Sequence, residues 1–458
     1  MNPTFQEQNS VDNQNQTYEI QMVCEGYVSF LRAIETLYQL INDEGYIEGV
    51  PLYIEDEPSY KWRGIMLDTS RHFISLNNIL KQIRAMQKVK LNVLHIHFSD
   101  SDSFPVEIVS VPDLADYGAY SSQEIYSLGD INQILTYAKK YGVTVIPEFD
   151  TPAHTRSWSN SPNFEETNAC AGYDPKDWAK YCVQPPCGSL DPTIEKTWTL
   201  VEAVAKQSKA LFQSKHFHMG GDEVKTGCWE FKPSIKEWMD GEGMTNYNEL
   251  ETYFRKRQAK LYPDQNLLYW FNSGSNNIEL QKKDIIQYWD KSDSYDSLKK
   301  FDNQVILSSY DHLYFDCGTG NLLGGDSWCE PYKTWEQVYD FDPSAADLGD
   351  RLLGAEACLW SEVINNENLD NKIWPRATSL ALRLWNENEK LNKPELVKKL
   401  VDTNNYLLQD LQIGPAPVTT EYCSLNIDMC FFENKKNDGQ NLENKDLIQQ
   451  EKIREIFN

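Results

Sequence analysis

The chain has 458 residues, with 43 basic against 69 acidic side chains, a formal charge of −26, and 40% hydrophobic and 12% aromatic content. That composition builds a core. A surface this acidic repels phosphate backbones and anionic headgroups, which excludes nucleic acid as a partner, and no stretch approaches the roughly 18 consecutive apolar residues of a membrane-spanning helix.

Residues 1–17 are polar and rich in Gln and Asn and are predicted to be disordered. In 18–58, the run VSFLRAIETLYQLI (28–41) repeats its apolar residues at helical spacing, and an acidic, turn-rich stretch with Pro51 and Pro58 leads onward. From about residue 59 short apolar runs alternate with longer helical stretches. The runs are 63–70, 91–100, 142–150, 215–223, 266–272, 284–290, 303–311 and 351–360, and the intervening helices include 76–90, 194–213 and 247–262. Eight strands that are apolar on both faces and alternate with helices predict an α/β fold, a closed (β/α)8 barrel over 59–430. Helix is also expected from Trp385 to about Gln412. Residues 431–458 form a polar tail.

Polar and aromatic residues gather at the C-terminal ends of these runs: Asp68 and Arg71, Asp100, Glu148 and Asp150, Asp222 and Glu223, Trp270, Trp289, Asp311 and Trp360. In such barrels that rim is where chemistry is done. HMGGDEV (218–224) is the sharpest motif, two glycines giving a tight turn with room for a ligand before adjacent carboxylates. Neighbouring strand residues face opposite ways, so Asp222 and Glu223 are expected to do separate jobs. The plainer role for either is to cap the next helix. A cyclic-dinucleotide synthase signature fails, because Val224 stands in place of Phe. His95-x-His97 could be the metal pair of an amidohydrolase, but later strands supply no matching ligand set, so ordinary barrel histidines are the better reading. No metal or cofactor is expected. Flat indoles beside carboxylates suit the C–H faces of a sugar.

Ten cysteines, partly in close pairs and without metal-type spacing, predict disulfides in an oxidising compartment. No basic segment followed by an apolar one marks the N-terminus as a signal peptide, and the sequon at Asn15 decides nothing.

The segments WRGIMLDTSRHF (62–73), LNVLHIHFSDSDSFP (91–105), VIPEFDTPAHTRSW (145–158), HMGGDEV (218–224), GAEACLWSE (354–362) and WPRATSLALRLW (374–385) together resemble the family 20 β-N-acetylhexosaminidases over about residues 20–430. The resemblance implies exo-acting removal of terminal GlcNAc or GalNAc from glycans or chitooligosaccharides. Glu223 would be general acid and then base, Asp222 would orient the 2-acetamido group and balance its positive charge, and Tyr314 would donate to the acetamido oxygen. Arg71 and Glu362 would hold sugar hydroxyls, Trp270, Trp289 and Trp360 would wall the pocket, and Asp100 and His154 would support Glu223. A carboxyl that must hold a proton at rest works best at acidic pH, which suits a lysosomal or secreted setting.

Relatives also suggest a homodimer. The resemblance implies the pairs Cys187–Cys228 and Cys317–Cys329. Proximity adds Cys170–Cys182 and Cys423–Cys430, leaving Cys24 and Cys358 free. The sequence departs from the family at Ala153, at Phe271 and Asn272, and at Ser101 and Asp102. Residues 18–58 read as a remnant of the family's N-terminal α/β domain, with a truncated or misassigned start expected as the cause. Two rival readings are a catalytically silent glycan-binding protein and a metal-dependent amidohydrolase.

Overall fold

The computed structural model describes residues 19–42, 44–274 and 279–431. The predicted disordered segment 1–17 and the tail beyond Phe431 lie outside them. Eight parallel strands form a closed barrel: β1 (Trp62–Asp68), β2 (Val93–His97), β3 (Thr144–Glu148), β4 (His216–His218), β5 (Asn266–Phe271), β6 (Ile285–Tyr288), β7 (Gln304–Leu307) and β8 (Leu352–Leu359). Each expected run holds one strand, and β8 closes the ring by pairing with β1, Gly64 opposite Glu356. The helices Leu76–Lys88, Glu195–Phe212 and Tyr247–Ala259 match the helical periodicity within a few residues. The helix expected from Trp385 begins only at Lys393, running to Leu411, because residues 386–392 form a loop after helix Arg376–Trp385.

The alternation is imperfect in the second half. Among the described residues no helix joins β5 to β6, and a 3-10 segment, Ser292–Lys300, joins β6 to β7. The strands are also not apolar on both faces. Their outer residues, such as Ile65, Leu94, Ile96, Leu267, Ile286 and Val305, pack under the helices in the main core. Inside, Trp62, Val93, Ile146, Leu268, Ile285 and Ile306 form one apolar layer. Above it His95, Glu148, His218, Gln287 and Glu356 fill the barrel, all fully buried. Glu148 and Trp270, expected at the rim, therefore lie within the barrel, because they are strand residues of β3 and β5 pointing inward. Asp311 is not at the site either; its carboxylate accepts the Ser292 hydroxyl at 2.6 Å and the Ser292 N–H at 3.2 Å.

The N-terminal helix Tyr27–Leu40 falls where predicted. Arg32 anchors it by donating to the carbonyls of Gln87, Leu91 and Gly142 at 2.9–3.0 Å, and Glu35 pairs with Lys88 at 2.6 Å. Its outward face leaves Tyr27, Phe30, Ile34 and Tyr38 exposed.

Disulfides join Cys317–Cys329 and Cys423–Cys430 as expected, with Cys24 and Cys358 free. The other two pairs are exchanged, to Cys170–Cys228 and Cys182–Cys187. Helix Thr226–Glu230 folds back so that Cys228 and Cys170 share a small core with Trp229, Ile235 and Leu250, leaving Cys182 beside Cys187 in their own loop.

Candidate active site

Strand β4 ends at His218, and the next residues leave it through Gly220 (φ +65°), Gly221 (φ +87°) and Glu223 (φ +54°). A Cβ on Gly221 would meet Arg255 Nη1 at 2.6 Å, and one on Gly220 would overlap Asp150. The space the glycines leave is therefore filled by protein rather than ligand. Because Asp222 and Glu223 sit in a turn, strand alternation does not separate them. Their carboxylates and His154 offer atoms within 4.8 Å of one another. Neither acid caps the following helix, whose N-cap is Lys225. Left-handed backbone at a non-glycine residue is uncommon and persists only where surroundings impose it. Glu223 and His154 (φ +58°) both adopt it.

His154 joins two carboxylates, with Nδ1 3.2 Å from Asp100 Oδ1 and Nε2 3.3 Å from Glu223 Oε2. Burial disfavours the imidazolium, but Asp100 and other neighbouring carboxylates outweigh it and raise His154 well above an ordinary histidine. Burial likewise opposes the charge on Asp100, yet Arg71 and His154 hold it well below the usual carboxylate range. Arg71 Nη2 lies 2.8 Å from Asp100 Oδ2, with Asp68 at 3.3 Å and Asp102 at 3.6 Å. Burial, and then repulsion from Asp100, push Asp102 up to about 7. Burial also raises Asp222 to about 6, with Glu223 adding to the rise against His154. Glu362 is raised by burial despite Arg71.

The aromatic groups gather as expected, at different depths. Trp360 lies under the Arg71 guanidinium, 5.0 Å from ring centre to Cζ, and 5.7 Å from Trp270. Trp270 is 1% exposed and spends its N–H on Glu148 Oε1 at 2.7 Å, so it forms the floor below the rim. Tyr314 is buried against Trp360, its phenol kept protonated by burial and by Cys358. Three buried polar atoms, Asp222 Oδ1, Asp316 Oδ1 and Trp289 Nε1, have no hydrogen-bond partner among the described residues. Unsatisfied polar atoms in one region mark where a ligand's polar groups fit.

Two residues at this mouth escaped the sequence reading. Asp316, raised to about 8 by burial and by Glu362, was passed over within YFDCG although an acid two residues beyond Tyr314 was visible there. Trp328 is 61% exposed yet packs 4.8 Å from Tyr310 and 6.2 Å from Trp289, and its glycine-rich surroundings gave no pattern to find it by.

The glycosyl hydrolase family 20 catalytic domain matches residues 60–388. A chitooligosaccharidolytic beta-N-acetylglucosaminidase of Ostrinia furnacalis is 38% identical over 357 residues, 73% of this chain and 59% of that enzyme. The beta-hexosaminidase subunit beta of Mus musculus is 31% identical over 411 residues, 88% of this chain and 72% of that protein. Among solved structures, the GH20 exo beta-N-acetylglucosaminidase of Vibrio harveyi in complex with N-acetylglucosamine superposes with a TM-score of 0.70 at 25% identity, covering 85% of this chain and 65% of that one. The chain thus spans less than two thirds of the length of the insect enzyme it matches. No helix of the described residues is long and apolar enough to cross a membrane. With 60–388 matched as the catalytic domain and the motif segments converging at one barrel mouth, the chain belongs to glycosyl hydrolase family 20.

Proposed function

We propose that the protein is an exo-acting β-N-acetylhexosaminidase that removes terminal non-reducing GlcNAc or GalNAc from glycans or chitooligosaccharides with retention of configuration. The observation that carries this reading is His154 bridging Asp100 and Glu223 beside Asp222 at the C-terminal mouth of the barrel. The route is the family's substrate-assisted one, in which the sugar's own acetamido oxygen attacks the anomeric carbon. An attacking group within the same molecule has a high effective concentration. Glu223 gives a proton to the leaving oxygen and then takes one from water. Asp222, whose Oδ1 is unpartnered, receives the acetamido N–H and balances the cation, while Tyr314 donates to the acetamido oxygen. Arg71 and Glu362 hold ring hydroxyls, and Trp289 and Trp360 flank the sugar above Trp270.

Residues 18–58, with the helix Tyr27–Leu40, are read as a unit distinct from the catalytic unit over 59–430. The four disulfides support a lysosomal or secreted setting, and pairing of many relatives as dimers supports a homodimer here. The test is hydrolysis of a chromogenic N-acetylglucosaminide at acidic pH. Glu223→Gln is expected to lower the rate by at least about a hundredfold, the size of a general-acid contribution, and an unchanged rate ends the assignment.

A further inference from the structure

Below the mouth the barrel holds an unbroken alternation of carboxylates and imidazoles. Glu356 Oε1 lies 2.8 Å from His95 Nδ1, and His95 Nε2 lies 2.9 Å from Glu148 Oε2. The same Glu148 oxygen is 2.8 Å from His97 Nδ1, and His97 Nε2 is 3.0 Å from Asp100 Oδ2. From Asp100 the line continues to His154 and Glu223. Glu356, His95, Glu148 and His97 are wholly inaccessible to solvent.

Burying ions costs several kcal/mol each before pairing returns it, and apolar residues of similar volume commonly fill such a space with no loss of stability. The apolar layer directly beneath shows that this barrel can be filled that way. An ionic line that ends on Glu223 therefore calls for a reason other than packing. Its geometry supplies one. Each of His95, His97 and His154 has both ring nitrogens facing carboxylates, surroundings that favour the doubly protonated form. His97 makes its hydrogen bond through Nε2, to Asp100 Oδ2 at 3.0 Å, while its Nδ1 lies 2.8 Å from Glu148 Oε2 as an ion-pair contact without hydrogen-bond alignment. That bond, with Arg71 on the same oxygen, holds Asp100, whose Oδ1 accepts the Ser101 N–H and meets His154.

We infer that Glu356, His95, Glu148 and His97 form a positioning relay that sets the orientation and charge of the Asp100–His154 pair, and through it the pH range in which Glu223 exchanges its proton. The inference rests on the activity proposed above. Other charged or titratable groups face the relay from every side. Asp68 and Arg71 follow β1, Asp150 follows β3 and Asp222 follows β4. His218 on β4 is neutral: burial lowers it, and its Nδ1 accepts the Gly220 N–H at 3.0 Å although Glu148 lies 3.1 Å away. Trp62 and Gln287 donate to Glu356 at 2.8 Å, and Cys358 stays a thiol. Neighbouring carboxylates overcome the burial penalty on His95 and His97, raising His95 to about 9 and His97 well above its ordinary value.

The wild-type protein is tested first, by nitrogen resonances of its seven histidines. His95 and His97 should read as doubly protonated at pH 7, and a neutral His97 there overturns the relay. Glu148→Gln then keeps the shape and removes one negative charge. With His97 still protonated, carboxyls at the mouth ionise more readily. The pH profile of kcat/KM should move to lower pH by about half a unit, with kcat reduced about tenfold and KM within about twofold. Glu356→Gln, one imidazole further from Asp100 than Glu148, should give a smaller shift in the same direction and serves if Glu148→Gln does not fold. A folded variant with an unmoved profile overturns the inference. A wild type that shows the expected resonances but hydrolyses no N-acetylhexosaminide would defeat the proposed activity, not the charge pattern.

Discussion

Gly220 lies directly against Asp150: a Cβ on the glycine would fall 1.8 Å from Asp150 Oδ1, the oxygen that accepts the Gly221 N–H at 2.8 Å. The turn carrying Asp222 and Glu223 is thus clamped from β3 and closed to any side chain. Gly220→Ala is expected to lose stability by about 2–3 kcal/mol, from the left-handed backbone plus the overlap, and to lose activity in whatever fraction still folds. Denaturant unfolding reads the first and single-turnover hydrolysis the second; a variant as stable as wild type refutes the clamp.

Burial raises Asp222 to about 6. Its charge is present above that pH and lost below it, so kcat/KM should fall on the acid side with an apparent pKa of about 6. In Asp222→Asn that limb should vanish along with most of the rate, and a pH series on both proteins measures it.

Stability should also depend on pH with a definite sign. His95 at about 9, Asp316 at about 8, Asp102 at about 7 and Asp222 at about 6 all sit above their unfolded values. The folded state therefore holds more protons than the unfolded chain, and the stability these groups give, complete at low pH, is lost as pH rises through those values. Asp100 and Glu148, both lowered by cationic partners against burial, act oppositely, and their contribution is lost as pH falls below the ordinary carboxylate range. Tm should peak between about pH 4.5 and 6 and decline steadily to pH 9. A calorimetric series with its maximum at pH 8 would contradict these assignments.

Trp328 offers an exposed indole braced by Tyr310 and Trp289, a flat apolar face open to a further sugar ring. Trp328→Ala should raise KM for chitooligosaccharides about tenfold, the worth of one aromatic contact, and leave glycosides of small alcohols nearly unaffected. Equal effects on both substrates would place the indole elsewhere in the cycle.

The barrel was legible because outward residues such as Leu94, Ile96 and Val305 mark strands regardless of what points inward, and the mouth because Asp100 and Glu223 close their runs, while His154 entered only through the family resemblance. Depth was not. Glu148 and Trp270 end their runs as a rim residue would, and only closure of the sheet shows that they face into it. Nor could linear spacing find Cys228 as the partner of Cys170, since the helix that brings them together returns from 58 residues away. The turn after β4 misled for a related reason: the strand has three residues, so alternation had ended before Asp222.

Gly64 opposite Glu356 leaves a mark that evolution should show. A methyl on Gly64 would come within 2.6 Å of Glu356 Oε2, so the buried acid exists only because β1 is bare at that point. Homologues bearing a side chain at the glycine should carry a shorter or uncharged residue at the glutamate, the two positions drifting as a pair.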